Sequence, residues 1–327
     1  MTQDLALIAD IGGTHARFAL VGPDGSAGEM VVLRCREFAG PVEAAQAFLR
    51  TQRPAGRVAS GAFAVASALS GDRVVLTNSA WDFSIDEVRR TLGMDRLEVV
   101  NDFTAVALSV RHMGPGDLMP LGGGTAIEGA PIAVLGPGTG LGVSGLVQGS
   151  HGDWSALATE GGHVTMAAAS EREAQVLSWL RGRFGHVSAE RVLSGPGLVN
   201  LYHACCALDH VADAGDVAPP WVLERGVGGA DPQCAAALEM FFSMMGTAAG
   251  NLALSLGAKG GVYIAGGILP RVRDAFAVSG FRARFEDKGR FRSYLSDIPV
   301  WLVVHPEPAF AGLLGICGNP RNPGRQT

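Results

Sequence analysis

Two glycine-rich turns, each set between short apolar runs, constrain this chain more than any other feature. Residues 5–9 (Leu-Ala-Leu-Ile-Ala) are an apolar run of strand length. The turn Asp10-Ile11-Gly12-Gly13-Thr14 follows, and residues 17–21 resume as a second strand, which predicts a hairpin. The plan returns later: a strand over 132–135, a turn over 136–142 and a strand over 143–147. A hairpin repeated in this way predicts two related halves that grip something between their glycine turns.

The rest of the pattern mixes strands with helices. Apolar periodicity predicts helices over 43–50, 85–92, 104–113, 171–184, 198–208 and 235–256, with a closing helix over 309–316. Strands are predicted over 61–66, 73–77, 97–100, 260–265 and 300–304, a loop over 213–220, and a frayed tail from Asn319. The Gly/Pro-rich stretch 114–124 reads as a domain boundary. The fold class is α/β without plain strand–helix alternation, and 327 residues suit two domains.

Composition narrows the function classes. With 47% hydrophobic and 17% charged residues the chain can build a core and is not disordered. A net charge of −5 gives no case for a nucleic-acid or membrane-surface partner. Five cysteines, an odd number without a CxxC pair, argue against a disulfide framework or a zinc site and for a reducing compartment. No signal peptide or membrane helix is read, so the expectation is a cytoplasmic protein.

Three glycine-rich turns follow strands: 10–14, 136–142 and Gly266-Gly267. Glycine lets backbone N–H groups approach a phosphate, although it is also the default residue of any tight turn. The GxxxxGK[ST] loop is absent, and a strand rather than a helix follows Gly12-Gly13, so neither the P-loop nor the dinucleotide fingerprint applies. Asp10, at a strand end before the first turn, could hold Mg²⁺ through water or simply cap the turn. Asn101-Asp102 ends a strand ahead of a helix. Asp102 could act as a base on a hydroxyl, but spacing alone favours its role as the helix N-cap. Glu160-Gly-Gly-His163 reads as a flexible loop presenting two hydrogen-bonding groups that suit a sugar. Glu190 alone reads as a surface charge. Cys205-Cys206 and the methionine-bearing helix 235–256 read as core.

Together these motifs resemble the bacterial glucokinases of the hexokinase, actin and Hsp70 superfamily, in the branch without a cysteine-rich zinc motif. The resemblance rests on Asp10-Ile-Gly-Gly-Thr14, Asn101-Asp-Phe-Thr-Ala105, Gly138-Thr-Gly-Leu-Gly142, Glu160-Gly-Gly-His163, the stretch from Ser188 to Gly197, Ala265-Gly-Gly-Ile268 and Phe285-Glu-Asp-Lys-Gly-Arg290. It implies a two-domain actin-like ATPase (ribonuclease H-like) fold with an interdomain cleft. The small domain would comprise 1–112 and 300–327, the large one 113–299. It implies that Ala9, Asp10, Ile11, Gly12, Gly13 and Thr14, with Gly138, Thr139 and Gly140, grip the phosphates of ATP, that Gly266 and Gly267 lie against the adenosine, and that Asp10 serves Mg²⁺ through water. Asn101, Asp102, Glu160, His163 and Glu190 would bind glucose, with Asp102 as general base, in a homodimer. Two positions depart from the family pattern: His15, where Asn is usual, and Ala68, where Pro is usual. A sugar sensor without turnover would not need an intact Asp102, and an actin-like filament or chaperone ATPase would leave Glu160, His163 and Glu190 idle.

Overall fold

The computed structural model describes residues 4–76 and 79–318, so Thr77 and the tail from Asn319 lie outside the described residues. The chain divides into two compact units, Met1–Gly114 with His305–Thr327, and Pro115–Val304.

The first unit is built on β1 (Leu5–Ile11), β2 (His15–Val21), β3 (Val31–Arg34), α1 (Pro41–Gln52), β4 (Val58–Val65), β5 (Arg73–Val75), β6 (Asp82–Ser84), α2 (Ile85–Thr91), β7 (Arg96–Asn101) and α3 (Asp102–Ser109), together with the C-terminal helix Pro308–Gly318. Its main sheet runs β3-β2-β1-β4-β7; β5 and β6 form a separate ribbon. β1 to β3 are an antiparallel meander, and β4 and β7 add in parallel. Side chains alternate between the two faces of a strand. Leu7, Ala9 and Ile11 of β1 pack with Phe18, Phe63, Phe48 and Val88 on one face. Ala6 and Ile8 face Ala105, Phe310 and Leu313 on the other. Both faces are covered, which explains why β1 and β4 read as continuous apolar runs rather than alternating ones.

The C-terminal helix packs on α3 at very short range. A Cβ on Gly312 would collide with the carbonyl oxygen of Ala105. Gly312→Ala is therefore expected to destabilise the protein by about 1–3 kcal/mol, the usual cost of overpacking. A lowered urea midpoint at unchanged slope checks this, and an unchanged midpoint contradicts it.

The second unit contains β8 (Leu118–Pro120), β9 (Ile132–Pro137), β10 (Leu141–Gln148), β11 (Trp154–Ala158), α4 (Glu171–Phe184), α5 (Gly195–Leu208), α6 (Pro219–Val227), α7 (Pro232–Leu256), β12 (Val262–Ile264), α8 (Arg273–Ala277), α9 (Phe281–Glu286), α10 (Arg292–Ser296) and β13 (Val300–Val303). Its sheet runs β11-β10-β9-β12-β13-β8. β9 to β11 are again an antiparallel meander, β12 and β13 again join in parallel, and β8 closes the edge antiparallel. The meander-plus-parallel plan is thus present twice, which is the physical basis of the repeated hairpin in the sequence. The 25-residue α7 buries Met240, Phe241, Met244 and Met245 in the core, beside Cys205 and Cys206 of α5. Among the described residues no helix is long and apolar enough to cross a membrane.

Two local expectations need correction. Residues 219 and 220 belong to a helix, not a loop, because two prolines open α6, where the missing N–H costs nothing. The helix expected over 104–113 starts at Asp102 and ends at Ser109.

Candidate active site

In the first unit the glycine turn is closed by the Gly12 N–H donating to the His15 carbonyl (3.0 Å). Cys35 braces it from below: its thiol donates to the Gly12 carbonyl (3.3 Å) and its N–H to the Thr14 carbonyl (2.9 Å). The N–H groups of Gly13 and Thr14 have no partner among the described residues, so the turn offers two adjacent donors to an anion. Ala9 and Ile11 are fully buried, so only their backbone can serve a ligand. His15 is exposed at the start of β2.

Asp10 lies on the same sheet face as Ala6 and Ile8, directly across from Arg17 in the β1–β2 register. Arg17 donates to its Oδ2 (3.1 Å) and lies 3.8 Å from Glu307. Burial raises the Asp10 pKa above the ordinary carboxylate value, against the Arg17 charge. Its other oxygen has no protein partner among the described residues. Those residues contain no group of three or more His, Cys, Asp and Glu side chains able to hold a metal ion. A half-buried carboxylate with one free oxygen fits Mg²⁺, which keeps several waters and takes one or two carboxylates beside phosphates.

The strand–helix junction resolves the choice posed by Asn101-Asp102. Asn101, not Asp102, caps α3: its Oδ1 accepts from the N–H groups of Phe103 (2.9 Å) and Thr104 (3.2 Å). Its Nδ2 donates to the Ser67 carbonyl (3.1 Å). Asp102 is the first helical residue, and its Oδ1 accepts from Phe103 N–H (2.8 Å). Burial, helped by the Asp10 charge and opposed by the Phe103 N–H and the Asn101 side chain, pushes its pKa up to about 6. A carboxyl with that value is ionised at neutral pH yet a better proton acceptor than an exposed aspartate.

In the second unit the glycine turn lies between β9 and β10. Gly138 N–H donates to the Gly140 carbonyl (2.8 Å), and the Gly138 carbonyl accepts from Gly195 at the start of α5 (2.8 Å). Thr139 and Gly140 have N–H groups without partners among the described residues, matching the pair in the first turn. The third turn packs against the second. Gly266, at φ +89°, brings its backbone so close to the Pro137 carbonyl that a Cβ would collide with it. Gly267 faces open space.

The Glu160–His163 segment is not a flexible loop. Gly161–His163 is a tight 3-10 turn laid on β10, where a Cβ at Gly161 would strike Val143 (2.7 Å) and one at Gly162 would strike the Leu141 carbonyl. The two glycines serve close approach of backbones, and they present Glu160 and His163 as exposed side chains 4.0 Å apart. Glu190 is not a plain surface charge either. It is half-buried, its N–H donates to the Gly162 carbonyl (2.9 Å), and its Oε2 accepts from the Leu141 N–H (2.9 Å). Ser194, the cap of α5, donates to its carbonyl (2.8 Å). The second unit thus brings Glu190, the Glu160–His163 turn and two glycine turns together. A nearby cavity of about 160 Å³, lined by Leu135, Val143, Met166 and Leu252 among others, is apolar and holds none of these polar groups.

Sequence reasoning missed Arg17, Glu307 and the Leu141 N–H. Arg17 could have been found from the hairpin register, which sets it opposite Asp10. Glu307 and Leu141 carry no local signal.

A model of the glucokinase family matches residues 7–318. A glucokinase of Paramagnetospirillum magneticum is 62% identical over 98% of this chain and 99% of its own length. One of Chromobacterium violaceum is 49% identical over 94% of this chain and 87% of its own length. A crystal structure of glucokinase from an Antarctic psychrotroph superposes with a TM-score of 0.87 at 35% identity, covering 96% of this chain and 98% of that one. A Streptomyces griseus glucokinase of the ROK family, in complex with glucose and AMPPNP, shares the fold at 18% identity and a TM-score of 0.60, covering 95% of this chain and 97% of its own. Its architecture is the actin-like ATPase fold, and with relatives this similar over nearly all its length the chain belongs to the glucokinase family.

Proposed function

We propose that this chain transfers the γ-phosphoryl group of Mg-ATP to the 6-hydroxyl of glucose, with Asp102 as the general base. Family membership carries the reaction, that of an ATP-dependent hexose kinase. The observation that carries the role of Asp102 is the division of labour at its junction: Asn101 takes the helix cap, which leaves a half-buried carboxyl with a pKa of about 6 to do something else.

Phosphoryl transfer needs mainly positioning and neutralisation of charge. The free N–H pairs at Gly13–Thr14 and Thr139–Gly140 would bind phosphate oxygens, and Gly266–Gly267 would lie against the adenosine. Asp10 would hold Mg²⁺ through water, and the bound ion would offset charge on the phosphates. Arg17, paired to one Asp10 oxygen, keeps that carboxylate oriented. Asn101, Glu160, His163 and the free oxygen of Glu190 would pair with sugar hydroxyls. A site built on such bonds rejects analogues lacking a hydroxyl, because its own polar groups are then left unpaired. Asp102 would accept the proton of the 6-hydroxyl as that oxygen attacks. The same reading makes the protein a cytoplasmic homodimer. Family resemblance supports the dimer, and five unpaired thiols support the reducing compartment.

Product identity tests the reaction. Phosphorus NMR of a mixture of protein, Mg-ATP and glucose is expected to show glucose 6-phosphate and ADP. Hydrolysis of ATP without a sugar phosphate would contradict the proposal. The Asp102 pKa adds a pH dependence. The base works ionised, so kcat/KM for glucose is expected to be flat above about pH 6.5 and to fall about tenfold per unit below about pH 5.5. A profile without an inflection near 6 would remove Asp102 from that role.

A further inference from the structure

The Glu190 side chain has two oxygens in different employment. Oε2 accepts from the N–H of Leu141, the residue that ends the second glycine turn and begins β10. Oε1 has no partner among the described residues. The fit is tight from both sides. A Cβ on Gly140 would collide with Oε2, so glycine at this position keeps the carboxylate in place. The Glu190 backbone is fixed as well: its N–H is bonded to Gly162, and its carbonyl accepts from the Ser194 hydroxyl. The turn has few other anchors. Gly138 is bonded within the turn to the Gly140 carbonyl and outward to Gly195, while the N–H groups of Thr139 and Gly140 have no partner among the described residues. Among the described residues, the carboxylate is therefore one of two groups from outside the hairpin that bond the turn, the Gly195 N–H being the other.

We propose that Glu190 is a positioning residue for the nucleotide as well as a ligand of the sugar. It holds the phosphate-binding turn through Leu141 N–H with one oxygen and offers the other to a glucose hydroxyl. This inference rests on the assignment of the turn to ATP and of Glu190 to glucose. It goes further in making one carboxylate a physical link between the two half-sites of the second unit. A turn held in its bound shape loses less conformational freedom on binding phosphate, so the link raises nucleotide affinity even when no sugar is present. Coupling between ligands is reciprocal, so disturbing the turn also weakens sugar binding.

The experiment measures nucleotide binding without sugar and sugar binding without nucleotide, by calorimetry on the whole protein, using Mg-AMPPNP and glucose. Glu190→Gln keeps an oxygen that can accept from Leu141 N–H but removes the charge; Glu190→Ala removes the acceptor. The charge lies near bound phosphates, so its loss alone favours nucleotide, and the comparison that matters is Ala against Gln. Glu190→Ala is expected to bind Mg-AMPPNP about tenfold more weakly than Glu190→Gln, the worth of a bond to a charged or strongly polar acceptor. Both variants are expected to weaken glucose. Gly140→Ala, which displaces Oε2 from the other side, is expected to weaken glucose binding several-fold with no nucleotide present. If Ala and Gln bind Mg-AMPPNP equally while both weaken glucose, Glu190 is a sugar ligand only and the inference is overturned. If neither variant changes glucose affinity, the sugar assignment itself fails.

Discussion

Asp102→Asn is expected to lower kcat by ~10²–10⁴-fold while leaving the KM for glucose within a few-fold of the wild type, the loss usual for a general base. The substitution is nearly isosteric. Asn keeps an oxygen that can accept from Phe103 N–H, and Asn101 still caps α3, so the local backbone has no reason to move. What disappears is the ability to take a proton. The same change carries a stability signature. Asp102 has an ordinary value of 3.8 when unfolded and about 6 when folded. Between those values the folded state binds more protons than the unfolded one, so stability falls as pH rises through that window and stays lower above it. Asn has no charge to desolvate. At pH 7 to 8 the variant is expected to be more stable than the wild type by on the order of 3 kcal/mol, with the gain gone below about pH 4. Urea unfolding at pH 7.5 and pH 4 reads this. An inactive variant that is also less stable at pH 7.5 would mean that Asp102 holds the fold rather than serves the reaction.

Arg284→Met is expected to destabilise the protein by about 3–5 kcal/mol, the cost of leaving a buried charge uncompensated. Glu173, on α4, has a side chain only 3% exposed. Its Oε1 accepts from Arg284 of α9 (2.7 Å) and its Oε2 from Ala169 N–H (2.7 Å). Arg284 also reaches the hydroxyl of Thr247 on α7 (3.4 Å), so one guanidinium ties three helices. Methionine fills similar volume without charge and strands the carboxylate. Adding Glu173→Leu to the variant is expected to recover most of the loss, since an apolar pair can replace a buried ion pair at little net cost. A single-variant cost under about 1 kcal/mol in urea unfolding would show that the pair contributes only surface-like stabilisation.

The two hairpins were legible because each sets a glycine turn between apolar runs, a local pattern that survives any tertiary context. The short outer strands were not. Val31–Arg34 and Trp154–Ala158 are four and five residues long, stand at sheet edges and bury no position fully, so they are too short and too exposed to show a clear period. α6 was hidden by Pro219-Pro220, which reads as loop although proline is at home in the first helical turn. At Asn101-Asp102 both side chains are good caps, so composition could not choose between them. Only the bonds that Oδ1 of Asn101 accepts from Phe103 and Thr104 show which one is consumed. Glycines at 161 and 162 looked like flexibility because sequence shows the missing side chain and not the strand that approaches it. The bond from Leu141 to Glu190 spans 49 residues and has no local trace.

The most direct test of the account is a coupled assay in which glucose 6-phosphate made from Mg-ATP and glucose is followed as NADPH through a dehydrogenase, with wild type and Asp102→Asn side by side. The account predicts turnover by the wild type and a rate at least about a hundredfold lower for the variant, with glucose binding retained. A variant that turns over at the wild-type rate would contradict the role given to Asp102, and a wild type silent with glucose would contradict the reaction.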